Sequence, residues 1–249
     1  MNPREFANIA RAERDLWWYR GMRSILFRLL DPYVAGRKIG RVLEAGCGTG
    51  YLARLMETER RWPVVPVDIS AEGLGYAREM GVENPVRGDI CTLPFAAGGF
   101  DLVISTDALS HLPRGEEHHA AREFARVLAR GGLLVLRVAA LDVLRSRHSE
   151  FVEERQRFTR RRLTRLVESA GVRVLRCTYV NSLLLPVALA KFRIWEPLLH
   201  RPAASGVELP ARWLDSLLYA PLAWEAAWVG WGGNFPAGQS LVLVGEKMP

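Results

Sequence analysis

The sequence predicts an α/β protein in which a mostly parallel sheet is wrapped by helices on both faces. Three observations carry that expectation. From Arg41 onward short apolar runs alternate with helix-like segments. One run, Leu133–Leu136, is continuously apolar, as a strand buried on both sides must be. A glycine-rich turn, Gly46-Cys47-Gly48-Thr49-Gly50, joins the first apolar run to a helix. The 249 residues are 49% hydrophobic and 24% charged, which excludes a disordered or fibrous chain. A single domain over 1–249 is expected.

The elements follow in order. Leu16, Tyr19, Arg23, Leu26 and Leu30 recur at helical spacing, so Arg4–Leu30 reads as one or two helices, ended by Asp31-Pro32 and forming an N-terminal cap over 1–36. Strands are expected at Arg41–Ala45, Val64–Asp68, Pro85–Gly88, Phe100–Thr106, Leu133–Ala139, Val172–Val180 and Ser240–Gly245. Helices are expected at Tyr51–Arg60, Ala71–Met80, Gly115–Leu128 and Arg160–Ala170, the last capped by Thr159. Between the last two strands lies a stretch of Leu, Ala, Pro and Trp, Leu183–Gln239. It is far longer than an ordinary connection of about 2–6 residues and reads as a helical insertion.

Charge and cysteine content narrow the setting. The formal net charge is +7. Much of it sits in Arg145–Arg176, a stretch that fits either a solvated helix face or a surface for an anionic substrate or nucleic acid. Cys47, Cys91 and Cys177 lie far apart, so neither a disulfide framework nor a metal site is expected, and a cytoplasmic setting follows. No apolar run reaches the roughly 18 residues that a bilayer span requires, and Met1–Trp18 lacks the apolar core of a signal peptide.

The glycine turn carries the strongest chemical signal. Residues without Cβ atoms allow a sharp turn and close approach of a ligand to the backbone. The spacing is G-x-G-x-G. A dinucleotide fingerprint would instead need a small residue where Tyr51 stands. The second strand ends in Asp68, whose two carboxylate oxygens match the two cis hydroxyls of a ribose; capping of the following helix is the competing reading.

With these marks the sequence resembles the class I S-adenosylmethionine-dependent methyltransferases, of the kind often labelled methyltransferase type 11, over roughly residues 17–171. The matching residues are Glu44-Ala45-Gly46-Cys47-Gly48-Thr49-Gly50, Asp68 followed by Ile69, and Gly88-Asp89-Ile90 with Leu93-Pro94-Phe95. Phe100-Asp101-Leu102-Val103 and Leu128-Ala129-Arg130-Gly131-Gly132 complete the set. The resemblance implies a Rossmann-like sheet of order 3-2-1-4-5-7-6 with strand seven antiparallel, and S-adenosylmethionine as cofactor. It implies that Gly46, Gly48 and Gly50 pack against the methionine part, that Asp68 holds the ribose, that Asp89 and the Ile90 amide hold the adenine, and that Thr106 lines the reacting end, with Glu44 and Ile69 also counted among the cofactor-binding residues. In related enzymes an N-terminal aromatic and basic segment closes over the cofactor. Tyr19 and Arg23, on one helix face, are the candidates here.

Methyl transfer from a sulfonium needs alignment and dry surroundings more than any fixed side chain, so no catalytic residue is obligatory. His111, after the fourth strand, stands as either a catalytic or substrate contact or a structural residue. His148 lies near the expected substrate mouth. Glu116-Glu117-His118-His119 look metal-like, but neighbours on a helix point about 100° apart, so a solvated face is expected and no metal. No recognition domain or base-specific motif accompanies the arginines, so a small-molecule or lipid-like acceptor is favoured over RNA; a non-catalytic cofactor-binding protein on the same fold is the other alternative. Trp224, Trp228 and Trp231 follow i, i+4, i+7 spacing in the insertion. Packing on the core, a dimer contact, a lid over an apolar acceptor and a foot on a membrane surface, with Lys191 and Arg193 at the headgroups, all remain readings of that stripe.

Overall fold

A computed structural model describes residues 2–199 and 202–248. Met1, His200, Arg201 and Pro249, which fall within the expected cap, insertion and domain bounds, lie outside the described residues. Seven strands form one sheet: β1 (Val42–Ala45), β2 (Val64–Asp68), β3 (Val86–Arg87), β4 (Phe100–Thr106), β5 (Leu128–Ala139), β6 (Val172–Val180) and β7 (Ser240–Lys247). Their order is 3-2-1-4-5-7-6. β1 to β5 pair in parallel, and β7 runs antiparallel to both β5 and β6. Every strand expected from the sequence is present, with ends shifted by a few residues.

Alternation along β5 divides the core. Leu133 and Val135 pack with α2 (Trp17–Val34), Met56 of α3 (Tyr51–Glu59), and α11 (Arg212–Gly230). Leu134 and Leu136 pack on the opposite face with α6 (Glu117–Val127) and α8 (Arg160–Ser169). Both faces are therefore covered, as a parallel sheet requires. Thr159 caps α8 by accepting from the Arg162 amide at 3.3 Å.

The N-terminal segment is two helices, α1 (Arg4–Ala12) and α2. α2 does not stop at Asp31-Pro32 but continues to Val34. The Asp31 carbonyl accepts from Ala35 at 3.1 Å. Tyr33 and Val34 in that last turn pack against the core, which offsets the hydrogen bond that Pro32 cannot donate.

The expectation of a wholly solvated Glu116–His119 face is also corrected. His118 and His119 are exposed, but Glu117 is buried. Its carboxylate pairs with Arg162 and accepts from the Gly115 amide and from Gln156, joining α6 to α8. Burial raises its pKa, but these donors outweigh it and hold the carboxyl below its ordinary value. Arg145, Arg157 and Arg173 of the basic stretch likewise pair with Asp142, Glu154 and Glu246. Among the described residues no helix is long and apolar enough to cross a membrane.

The 183–239 insertion contains α9 (Leu185–Ala190), a π-helical turn at Lys191–Trp195, α10 (Glu196–Leu199) and α11. The inner face of α11 belongs to the core. Leu222, Ala226 and Val229 are buried against α2, where Gly21 leaves no room for a Cβ beside Leu222. The tryptophan stripe lies on the other face and is exposed, so packing of that stripe on the core is ruled out.

Candidate active site

The site lies at the C-terminal ends of β1, β2 and β4, the edge where open parallel sheets bind ligands. The turn after β1 is held down by the Val67 carbonyl, which accepts from the Gly46 and Cys47 amides at 2.8 and 2.9 Å. Gly46, Gly48 and Gly50 all have positive φ, but they serve different ends. A Cβ on Gly46 would lie 2.5 Å from Ala108 at the start of α5 (Ala108–His111), and one on Gly50 would lie 2.7 Å from Ala77 in α4 (Ala71–Glu79). These two glycines let the turn seat against neighbouring helices. At Gly48 the nearest atom is 3.9 Å away, on the Phe6 ring, so the restriction there is conformational.

Asp68 receives two backbone donors, Gly48 N–H on one oxygen and Ser70 N–H on the other, each at 2.8 Å. Helix α4 is capped by Ser70, so capping is not the work of Asp68. Each Asp68 oxygen keeps acceptor capacity for a further hydroxyl. Burial pushes its carboxyl above the ordinary value despite these amides. The Gly88 amide donates to the Asp68 carbonyl at 3.0 Å, which brings the loop after β3 alongside. In that loop Asp89 accepts from the Cys91 amide at 2.8 Å, Ile90 is buried, and Ile69 stands exposed nearby on the turn after β2.

The N-terminal cap closes over the glycine turn with residues the sequence did not single out. Phe6 of α1 sits over Gly48 and Gly73. Glu13, between α1 and α2, accepts from the Thr49 hydroxyl at 2.6 Å. Burial raises the Glu13 carboxyl to about 7, although Thr49 and Arg23 oppose the rise. Glu44 at the end of β1 is buried, one of its oxygens has no partner, and burial reinforced by Glu13 raises its carboxyl well above the ordinary value. The turn is thus flanked by two buried carboxyls: Glu13, with Arg23 as its nearby cation, and Glu44, with one oxygen unpartnered among the described residues.

Arg23 lies 4.7 Å over the Tyr51 ring and donates to the backbone carbonyls of Glu13 and Arg14. It braces the loop that carries Glu13. Tyr19, one turn earlier on the same helix, packs edge-on against Trp18 at 5.0 Å; burial and the nearby carboxylates, Glu13 first among them, raise its phenol.

A second unforeseen feature lies at the ends of β4 and β5. Arg137 is 8% exposed and donates to Asp107 at 2.5 Å, with its guanidinium 5.1 Å over the Trp18 ring. Asp107 follows Thr106 and adopts φ of 64°, a conformation that aspartate tolerates better than most residues. This pair fixes the strand end where Thr106 and α5 emerge. His111 ends α5; its Nδ1 is buried without a partner, and burial lowers its pKa. Part of this was signalled in sequence, since Arg137 is the lone charge in the otherwise apolar run Leu133–Ala139.

The insertion reaches the same region. Buried Glu5 of α1 accepts from the Ser205 hydroxyl at 2.9 Å, and Nδ1 of His148, in α7 (Arg147–Phe151), accepts from the Gly206 amide at 3.0 Å. The Arg147 side chain donates to the Pro202 carbonyl at 2.7 Å. The 202–206 segment is therefore clasped between α1 and α7.

Residues 43–136 match the methyltransferase domain family. A malonyl-[acyl-carrier protein] O-methyltransferase of Enterobacter lignolyticus is 35% identical over 130 residues, 51% of this chain and 51% of that protein. The chain spans about half the length of the curated relatives it matches. Among solved structures, a chain in complex with the Haloferax volcanii Trm112 methyltransferase activator superposes with a TM-score of 0.58 at 20% identity, covering 98% of both chains. A Haemonchus contortus phosphoethanolamine N-methyltransferase solved with S-adenosyl-L-methionine gives a TM-score of 0.59 at 17% identity, over 93% of this chain and 53% of that one. At these identities the structural likeness establishes the fold.

Proposed function

We propose that the whole chain, read as one domain around the methyltransferase-family match at residues 43–136, methylates a small-molecule or lipid-like acceptor. The observation that carries this reading is the pair of buried carboxyls beside the glycine turn, Glu13 and Glu44, both pushed up by burial, with one Glu44 oxygen unpartnered. A ligand with an α-ammonium group and a ribose diol fits these carboxyls together with the open acceptor capacity of Asp68.

When bound, S-adenosylmethionine supplies a methyl group on a sulfonium, ready for in-line displacement. On this reading the chain's own residues bind and align. Glu44 and Glu13 face the ammonium group of the amino-acid end, and the Gly46 and Gly48 backbone allows its close approach. Asp68 takes the ribose hydroxyls, with Ile69 alongside. Asp89 and the Ile90 amide hold the adenine. Tyr19 and Thr106 border the reacting end, and Arg23 keeps Glu13 in place. Burial disfavours the charged imidazole of His111, and its buried Nδ1 has no partner, which leaves it as the candidate to take a proton from an acceptor hydroxyl. The clasped 202–206 segment is the candidate for shielding the mouth. The free thiols Cys47, Cys91 and Cys177 suit a cytoplasmic setting.

Much of the arginine-rich stretch is engaged in internal ion pairs, which favours a small acceptor over RNA. The test is calorimetric titration with S-adenosylmethionine and S-adenosylhomocysteine, with NADH as control. A labelled-methyl assay against metabolite, lipid and RNA pools follows. Saturable binding of both sulfur ligands and label in a small or lipid fraction are expected. NADH binding without either ligand, or label confined to RNA, refutes the reading.

A further inference from the structure

The outer face of α11 carries an exposed apolar stripe. At 100° per residue, Trp213, Leu217, Trp224, Trp228 and Trp231 fall within an arc of about 60°, along a line of about 27 Å. All five are exposed, from 40% at Trp228 to 84% at Trp231. Trp224 and Trp228 stack on one another, with ring centroids 5.9 Å apart and planes 7° from parallel. Exposed Leu183 and Val187 lie close by, since the Leu183 amide donates to Glu225 on the inner side of α11. Eleven of the fourteen exposed large apolar side chains among the described residues fall between Leu183 and Trp231. A contiguous apolar surface of this sort marks an interaction site.

Composition and charge indicate the occupant. Tryptophan is suited to the level of lipid headgroups, where one side of the ring is greasy and the other wet. Lys191, Arg193 and Arg212 are exposed along the same insertion. Of its carboxylates, Asp215 is taken by Trp17 and Arg20, Glu196 by the Arg147 amide, and Glu225 is buried, which leaves Glu208 exposed. Two copies meeting through this face would bring like charges together in a chain of net +7, whereas an anionic bilayer complements them. We propose that α11 lies in the plane of an anionic membrane surface with its tryptophan stripe in the headgroup region and Lys191, Arg193 and Arg212 on the lipid phosphates. The helix lies on the bilayer and does not span it. This docking does not depend on methyl transfer.

The experiment uses the full chain and two sets of vesicles, phosphatidylcholine alone and equal parts phosphatidylcholine and phosphatidylglycerol. Binding is read by co-pelleting and by the shift of tryptophan emission, with sedimentation velocity on the free protein. Binding to the anionic vesicles, a blue shift, and weakening with salt are expected. Trp224→Glu should abolish binding, and Arg193→Ala should weaken it about fivefold. Both positions are exposed, so circular dichroism and S-adenosylhomocysteine titration should match the parent. The titration separates this proposal from the functional one, because either can fail alone. Equal binding to both vesicle types, binding to neither, or a dimer abolished by Trp224→Glu in a protein that ignores vesicles would overturn the proposal.

Discussion

Glu13→Gln tests the electrostatics of the site most directly. In the free protein the Glu13 carboxyl titrates at about 7, against an ordinary value of 4.5, because burial penalises its charged form. To face the cationic end of a ligand it must lose its proton. If binding returns it to its ordinary value, affinity at pH 6 should be about one-tenth of that at pH 8, since about nine-tenths of the free sites carry the proton at the lower pH. The stability of the free protein should move the opposite way. The folded pKa is the higher one, so the unfolded chain releases this proton first. Stability is therefore lost as pH rises from about 4.5 to about 7, by ~3 kcal/mol at most. The assay is calorimetry with S-adenosylhomocysteine in two buffers of different ionisation enthalpy. Nearly one proton should be released at pH 6 and almost none at pH 8. In Glu13→Gln both the proton release and the pH dependence should vanish. A parent with no pH dependence, or a variant that keeps it in full, would refute the assignment and point to Glu44.

Other substitutions probe the remaining parts. Asp68→Ala should weaken S-adenosylhomocysteine binding by roughly 1–3 kcal/mol, the scale of hydrogen bonds to a charged group; unchanged affinity by calorimetry would remove Asp68 from the ribose site. Gly48→Val places a β-branched residue at φ of 56° and should abolish ligand binding while circular dichroism still reports a folded domain. Leu222→Ala should cost about 2–5 kcal/mol in denaturant unfolding, because its side chain fills the contact between α11 and α2. Asp107→Ala strands the buried Arg137 guanidinium and should cost about 3–5 kcal/mol; a loss below 1 kcal/mol would show that the Trp18 ring alone satisfies that cation.

The fold was legible because its signals are local. The glycine turn needs positive φ at fixed positions, Asp68 ends a strand, and β5 must be apolar on both faces, so each leaves a mark in a short window of sequence. The cap over the turn left no such mark. Glu13 lies in a run of charged residues that reads as surface, and its burial arises only when α1 folds onto Gly48 and Gly73. Phe6 is similarly one aromatic among many. The period of the Trp224–Trp231 stripe was readable but its direction was not. α11 is apolar on nearly all sides, and the face that meets α2 is built of small and branched residues, Leu222, Ala226 and Val229, because Gly21 lets the helices approach closely. Bulk, which would ordinarily mark the core face, here marks the outer one. Pro32 misled for a related reason, since a proline in the last turn forfeits one bond while that turn keeps its packing.

The clamp between α2 and α11 also ties the cap to the insertion. Asp215 accepts from the Trp17 amide and from Arg20, each at 2.8 Å, so the first turn of the cap helix is tied to the first turn of the insertion helix. One end of this strut adjoins the loop bearing Glu13, and the other the segment clasped at Glu5 and His148. On the function proposed above, the cap and the insertion would settle together, and any factor by which one ligand tightened the other would hold in both directions.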